Sequence, residues 1–444
     1  MTKNPVDIIG IMTGNSLDAV DAVLTRFEPD GDMTDIAFRS VPYPEALKDG
    51  MRKIRAWIKS ENYAVGNVVT HIAFLGIVTA YAKLLAQCVG ELLDTTRMKS
   101  DDIVALGVHG QTCAHCPPSA CGDGLPYTVQ ICHPQLLANL TGIPVIYDFR
   151  SDDVFNGGEG APFAPAHNLH MARSMGLKGT VAFVNAGNTG NLAVVGGRAD
   201  FSDVVGFDCG PFNHFPDLIV RRFFRQDCDK DGQFGRQGKI DSNLLRAFFE
   251  NGARTFENKN FYTQKPPKSS DPQWYVFPDG IKDANPFDSV RTAEYAAVYG
   301  LFYNLSFLKV LPETFVLFGG GWNNPLSIED FKALLEGKGA VLPEHREIFG
   351  SILSRMPSVP RLEKSRTNGT YTEARIFADA AYRFILNEPF TFPETTGVRK
   401  PTVCGVYCLP QVQKDYALIR EMRVKKAPEA HPLLCSRASR RHAF

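Results

Sequence analysis

The chain has 444 residues, 44% of them hydrophobic, with 48 Lys+Arg against 48 Asp+Glu. That length and apolar content support two domains with their own cores, and the charge balance excludes a global electrostatic pull towards nucleic acid or an anionic membrane. The charge is uneven along the chain: residues 399–444 hold ten Lys or Arg and three Asp or Glu, which predicts a solvated basic extension over 411–444.

The opening "MTKNPVDIIG" lacks the apolar core of a secretory signal, and no run of about twenty uninterrupted apolar residues follows. A soluble cytoplasmic protein without a membrane partner is the expectation. Ten cysteines are too dilute for a disulfide scaffold in a chain of this length.

Ile8–Met12 reads as a buried strand and Ala19–Leu24 as an alternating one, so the polar segment between them is a tight connection. It carries Gly14, Asn15, Ser16 and Asp18. Two readings fit: an ordinary hairpin turn, or a cradle in which backbone N–H groups meet phosphate and a carboxylate holds Mg2+ directly or through water. A third strand is predicted over Ile103–Val108, followed by "HGQTCAHCPPSACGDGLPYTVQICH". Its cysteines, Cys113, Cys116, Cys121 and Cys132, lack the second close pair of a zinc ribbon. The favoured reading is a polar loop in which His109, Gln111 and His115 face a cleft.

"GTVAFVNAGNTGNLAVVGG", residues 179–197, repeats the strand, polar turn, strand device about one domain later. "FVLFGGGWNNPLSIEDFKALL", residues 315–335, places Gly319, Gly320, Gly321 and Asn324 between a buried strand and a helix starting near Ser327. A bare backbone at a strand end is how α/β proteins open a surface to a nucleotide.

Two such hairpins and a glycine-rich strand end make the plan of the actin, hexokinase and Hsp70 superfamily. The chain resembles the anhydro-N-acetylmuramic acid kinases, with a match from about residue 7 to about residue 408. The resemblance is carried by "GIMTGNSLDAVDAVL", "HGQTCAHCP", "TGIPVIYDFRSDDVFNGGEGAPFAPAH", "GFDCGPFNHFPD", "CDKDGQFGRQGKID", "GGGWNNP", "YTEARIFADAA" and "TTGVRKPTVCGVY", in family order. The fungal levoglucosan kinases share these motifs.

The resemblance implies a two-domain α/β, ribonuclease H-like duplicated fold with an interdomain active-site cleft. The domains would span 1–165 and 175–410, the segment "TTGVRKPTVCGVYCLP" returning to finish the sheet. It implies a homodimer using ATP and Mg2+ to open the 1,6-anhydro bond of a small-molecule sugar with water and phosphorylate O6. Asp208 would be the base that activates the water; read alone it is also a plain turn residue. Glu373 would orient that water or, with Asp18, hold Mg2+; read alone it is a helix-surface glutamate. Gly187, Asn188 and Asn191 would bind phosphate with Gly14, Asn15, Ser16 and Asp18, while Gly319, Gly320, Gly321 and Asn324 face the nucleoside. His109, Gln111 and Arg150 would touch the sugar, although Arg150 also suits an inter-strand salt bridge.

Three positions depart from the family pattern: Asn15 replaces Thr, Asn188 replaces Gly, and Phe212 replaces Gly or Ala. The Phe212 ring, close in sequence to Asp208, is expected to narrow the sugar pocket or add a stacking face. Other readings are a kinase for another anhydrosugar, such as levoglucosan, or a nucleotide-binding relative of weak activity.

Overall fold

The computed structural model describes residues 4–14, 17–60, 68, 72–119, 121, 123–196, 204–255, 257–266, 268, 270, 272–365 and 371–411. The chain divides into two compact units, Met1–His167 with Tyr371–Phe444, and Asn168–Thr370.

In the first unit β1 (Val6–Thr13), β2 (Ala19–Phe27) and β3 (Met33–Pro42) form an antiparallel meander. β4 (Ala105–Val108) then adds parallel to β1 on its other side. The chain makes a separate two-stranded hairpin, β5 (Gln111–Cys116) with β6 (Tyr127–Ile131), before β7 (Val145–Tyr147) joins β4 in parallel. The predicted polar loop around the cysteines is therefore a hairpin at its two ends, because Gln111–Cys116 and Tyr127–Ile131 pair their backbone groups with each other.

The second unit repeats the path. β8 (Val181–Ala186), β9 (Thr189–Val195) and β10 (Val205–Pro211) form the meander, and β11 (Thr314–Phe318) and β12 (Arg361–Lys364) extend it in parallel from β8. Its order, β10-β9-β8-β11-β12, matches β3-β2-β1-β4-β7 of the first unit, where β13 (Val406–Cys408) closes the far edge antiparallel to β7. One topology traced twice is the duplicated α/β fold expected from the sequence.

The strands of β1 are buried on both faces, as their unbroken apolar run requires. Ile9 and Ile11 join the core formed with Tyr81, Leu85 and Leu92 of the helix Ile72–Thr96. That helix is long and apolar enough to cross a membrane by length and composition, yet these side chains are at most 1% exposed within the unit. On the opposite face Gly10 and Gly107, paired across β1 and β4, lie under the helix Thr372–Leu386. A Cβ at Gly10 would come within 2.0 Å of the Ala374 carbonyl oxygen, and one at Gly107 within 2.1 Å of that of Phe377.

Residues 371–411 thus belong to the first unit, a correction to the boundary 175–410. The physical reason is that helix–glycine contact, which brings helix backbone directly onto the sheet. In the second unit Tyr299 and Phe302 of the helix Pro286–Asn304 pack with Phe248, Phe315 and Phe331 into an aromatic core.

Candidate functional site

In the second unit the strand register lines up three polar side chains. Asn185 on β8 pairs with Asn191 on β9, and Asn191 pairs with Asp208 on β10. Directly opposed residues of antiparallel strands share a face, so the three form one row. Asp208 is a half-buried strand residue just before a bulge that ends at Gly210. Gly210 has φ +106°, and a Cβ there would meet the Tyr262 ring at 2.7 Å. The Asp208 N–H donates to the Lys268 carbonyl at 3.2 Å, and its Oδ2 accepts the Ser270 N–H at 2.7 Å.

The turn before β9 is closed by two backbone bonds, from Phe212 N–H to the Asn188 carbonyl at 2.9 Å and from Asn213 N–H to the Gly187 carbonyl at 3.0 Å. Asn188 is not in the positive-φ region, so this turn needs no glycine there. Its side-chain oxygen meets His214 Nδ1 at 3.2 Å.

Beside this turn lies a cavity of about 460 Å3 lined by Phe212, Asn213, Asp229, Glu294, Gly320 and Asn324 among others. Ligand pockets are commonly of this size. β11 ends at its rim. Gly319, at φ +93°, crosses so close to β8 that a Cβ would stand 2.5 Å from Asn185 Oδ1. Gly320 faces open space, whereas Gly321 packs under the Phe212 ring.

Phe212 is 3% exposed and lies 5.1 Å from the Trp322 ring. It forms a wall of the cavity beside the glycine run. The bulge and Pro211 carry the chain off the edge strand, so the ring turns into the core.

Asn324 caps the helix Pro325–Leu335, accepting Leu326 N–H at 3.0 Å, and donates to Glu294 Oε1 at 2.6 Å. Glu294 is 3% exposed, and burial with the nearby Asp229 pushes its carboxyl up to about 9. It is a neutral acid at neutral pH. No donor among the described residues reaches Oε2, which fits the protonated oxygen turned towards Asp229. Asp229 itself accepts the N–H groups of Phe234 and Gly235.

In the first unit, Asn15 and Ser16 lie outside the described residues. The Gly14 carbonyl accepts Leu17 N–H at 3.3 Å and Gln111 Nε2 at 3.2 Å. Gln111 is fully buried and its Oε1 accepts the Tyr43 hydroxyl at 2.9 Å. Its amide therefore braces the first turn from behind, whereas the sequence reading had it touching sugar. Asp18 is exposed, and its carbonyl accepts Tyr43 N–H.

His109 is 4% exposed under the Phe377 ring and accepts Arg150 Nε at its Nε2, 2.9 Å away. Arg150 also donates to the Gly160 carbonyl and lies over Phe163. Those bonds, to an imidazole and a carbonyl, do not make the alternative salt bridge. Glu373, second residue of the helix over the glycine pair, is exposed on the surface of its unit, as the plain helix-surface reading expected; the protein packed around its base and Asp21 still raise its carboxyl above the usual range, and Arg150 opposes the rise. Asp21 on β2 is raised by burial as well. Among the described residues no group of three or more His, Cys, Asp or Glu is disposed to hold a metal ion, and the nine cysteines there are free thiols.

Sequence reasoning missed Asn185, Asp21, Glu294, Lys268 and Ser270. The first was legible in the "VNAGN" turn, where strand alternation puts residues 185 and 191 on one face. Lys268 and Ser270 reach Asp208 only through a long loop, which no periodicity reveals.

The chain matches the anhydro-N-acetylmuramic acid kinase family over residues 6–345. It is 30% identical over 410 residues to the anhydro-N-acetylmuramic acid kinase of Brucella canis, covering 90% of this chain and 98% of that one. The protein of that name from Nitrosospira multiformis is 31% identical over 403 residues, 89% and 97% of the two chains. Solved structures similar in shape include the ROK hexokinase of Thermus thermophilus, at a TM-score of 0.34 and 13% identity, over 85% of this chain and 98% of that one. The activator of the 2-hydroxyisocaproyl-CoA dehydratase from Clostridium difficile scores 0.37 at 8% identity, over 84% and 92%. Likeness at that level carries no inference, and the fold assignment rests on strand order. From its match over most of its length, the chain belongs to the anhydro-N-acetylmuramic acid kinase family and is a phosphotransferase.

Proposed function

We propose that this protein is an ATP-dependent 1,6-anhydrosugar kinase that converts 1,6-anhydro-N-acetylmuramic acid to N-acetylmuramate 6-phosphate, in the recycling of cell-wall sugar. Family membership supports the reaction class. The observation that carries the mechanism is the row Asn185, Asn191 and Asp208, in which a half-buried carboxylate stands on one sheet face with two amides.

In this reading Asp208 takes a proton from water as the water oxygen bonds to C1. The C1–O6 bond breaks, O6 bonds to the γ-phosphorus, and the bond from that phosphorus to ADP breaks. A carboxylate suffices as base because C1 develops oxocarbenium character, which makes the incoming water more acidic. Asn185 and Asn191 orient the water and the phosphate edge. Positioning and charge neutralisation dominate such a transfer.

The cavity beside Gly320 takes the nucleoside, and its volume and open glycine backbone fit that group. Mg2+, when bound, would neutralise phosphate charge, with Asp18 as its direct or water-mediated holder and Glu373 as a further carboxylate; exposed carboxylates suit an ion that keeps several waters. Arg150 and His109 are the sugar contacts: a guanidinium fork suits the lactyl carboxylate, and the buried His109 Nδ1–H, with only the Gly110 backbone beside it and no well-formed hydrogen bond among the described residues, suits a sugar oxygen. A cytoplasmic homodimer completes the reading, and light scattering on the purified protein tests the dimer.

The deciding experiment is ADP release over a panel of 1,6-anhydrosugars. Turnover with 1,6-anhydro-N-acetylmuramic acid well above that with levoglucosan is the expected result. The reverse preference overturns the sugar assignment, and ATP binding without ADP release from any sugar overturns the kinase mechanism.

A further inference from the structure

Asp208 is joined to the phosphate turn of its own unit by a continuous hydrogen-bond chain. Ser270 donates its N–H to Asp208 Oδ2 at 2.7 Å, and its hydroxyl donates to the Tyr275 oxygen at 2.7 Å. Tyr275 and Thr189 hydroxyls are 2.6 Å apart. Either hydroxyl can be the donor in that contact; with the Tyr275 oxygen accepting from Ser270, the phenol's one proton is available to Thr189. In that orientation Thr189 keeps its own proton to donate at the turn Gly187–Asn188, where a phosphate oxygen would accept it. A second tie runs alongside: the Tyr275 ring stands edge-on to His214 at 4.9 Å, and His214 holds the Asn188 side chain.

The other end of the chain is held by Lys268. Its carbonyl takes the Asp208 N–H, and its ammonium donates to the carbonyls of Phe261 at 3.2 Å and Tyr262 at 3.4 Å. The same ammonium lies over the rings of Phe261 and Phe307 at 4.6 and 4.9 Å. Burial brings it down to about 8, with Cys209 and Asp208 opposing the shift. A half-buried ammonium costs stability, and a methionine would fill an aromatic box without that cost.

We propose that Thr189, Tyr275, Ser270 and Lys268 are positioning residues that couple the phosphate turn to the Asp208 carboxylate, so that a phosphate seated at the turn fixes the base. This rests on Asp208 being the base. Rotation of the carboxylate would misplace it relative to water, and a misplacement of about 1 Å can cost roughly 100-fold in rate.

The test measures kcat, both KM values and the pH profile of kcat in Tyr275→Phe, Thr189→Val, Thr189→Ser and the double variant Thr189→Val/Tyr275→Phe. Each disruptive single variant should lower kcat roughly 10-fold, with both KM values within about 2-fold in Tyr275→Phe and only the KM for ATP raised in Thr189→Val, and the double variant should lose no more kcat, because links of one chain fail together. The acid limb should move to higher pH, since a loosened Ser270 N–H stabilises the carboxylate less. Thr189→Ser, which keeps the hydroxyl, should stay near wild type.

Wild-type kcat in the single variants, losses that multiply in the double, or Thr189→Ser as impaired as Thr189→Val would each overturn the relay. Should Tyr275→Phe fail to fold, the Thr189 pair decides alone. An Asp208→Asn control separates the two ideas: if it is inactive while the relay variants run at full rate, the relay alone fails. If it runs at full rate, the assignment of the base fails first.

Discussion

Arg150 donates from Nε to Nε2 of His109 at 2.9 Å, and an imidazole nitrogen that accepts a guanidinium proton cannot also carry one. His109 is therefore neutral with its proton on Nδ1. Burial, and secondarily the charge of Arg150, pull it down to about 3.

From that pair comes a pH prediction. A histidine lowered from its ordinary value near 6.5 binds fewer protons when folded across roughly pH 3 to 6.5, so its contribution to stability is present above that window and lost as pH falls through it. Nitrogen NMR should find His109 neutral from pH 5 to 8. Replacing Arg150 by Met should raise its pKa part of the way, because burial remains, and raise KM for the anhydrosugar. An imidazole that titrates near pH 6.5 in the intact protein would contradict the geometry.

Replacing Asp208 by Asn leaves one side-chain oxygen, Oδ1, to accept the Ser270 N–H but removes the proton acceptor. We expect kcat to fall roughly 100-fold or more with nucleotide affinity near normal, the usual worth of a positioned base. Stopped-flow turnover and calorimetric titration with ATP measure the two separately.

Gly10→Ala or Gly107→Ala should strike stability. A methyl group 2.0 or 2.1 Å from a helix carbonyl forces the helix off the sheet, at a cost of about 3 kcal/mol or more given that ordinary overpacking costs about 1–3. Thermal unfolding should show a Tm lower by several degrees for either variant. The Gly10→Ala/Gly107→Ala double variant should lose less than the sum, since the two glycines pair directly and meet one helix.

Glu294 gives the opposite pH signature from His109. Its carboxyl, raised from 4.5 to about 9, holds a proton in the folded chain that the unfolded chain releases, so its share of stability falls as pH rises across that window. Glu294→Gln, which mimics the protonated acid, should flatten the decline of Tm between pH 6 and 9. Glu294→Ala should lower Tm at every pH by stripping Asn324 of its acceptor. A variant Glu294→Gln with the wild-type slope would show that the proton sits elsewhere.

Local patterns along the chain dictate its regular elements. The unbroken apolar run of β1, the alternation of β2 and the glycine-rich end of β11 were readable because strand periodicity and backbone exposure are local properties. The ordered motifs made the family legible too. Where side chains far apart along the chain meet was set by long-range packing. Phe212 turned into the core beside Trp322 because a bulge redirected its strand, and Gln111 went behind the first turn because Tyr43 claimed its oxygen. Residues 371–411 joined the first unit because Gly10 and Gly107, more than 250 residues upstream, leave room for a helix backbone. Contacts at that separation leave no periodic trace in a single sequence, so register, close approach and desolvation emerge only when the chain is folded.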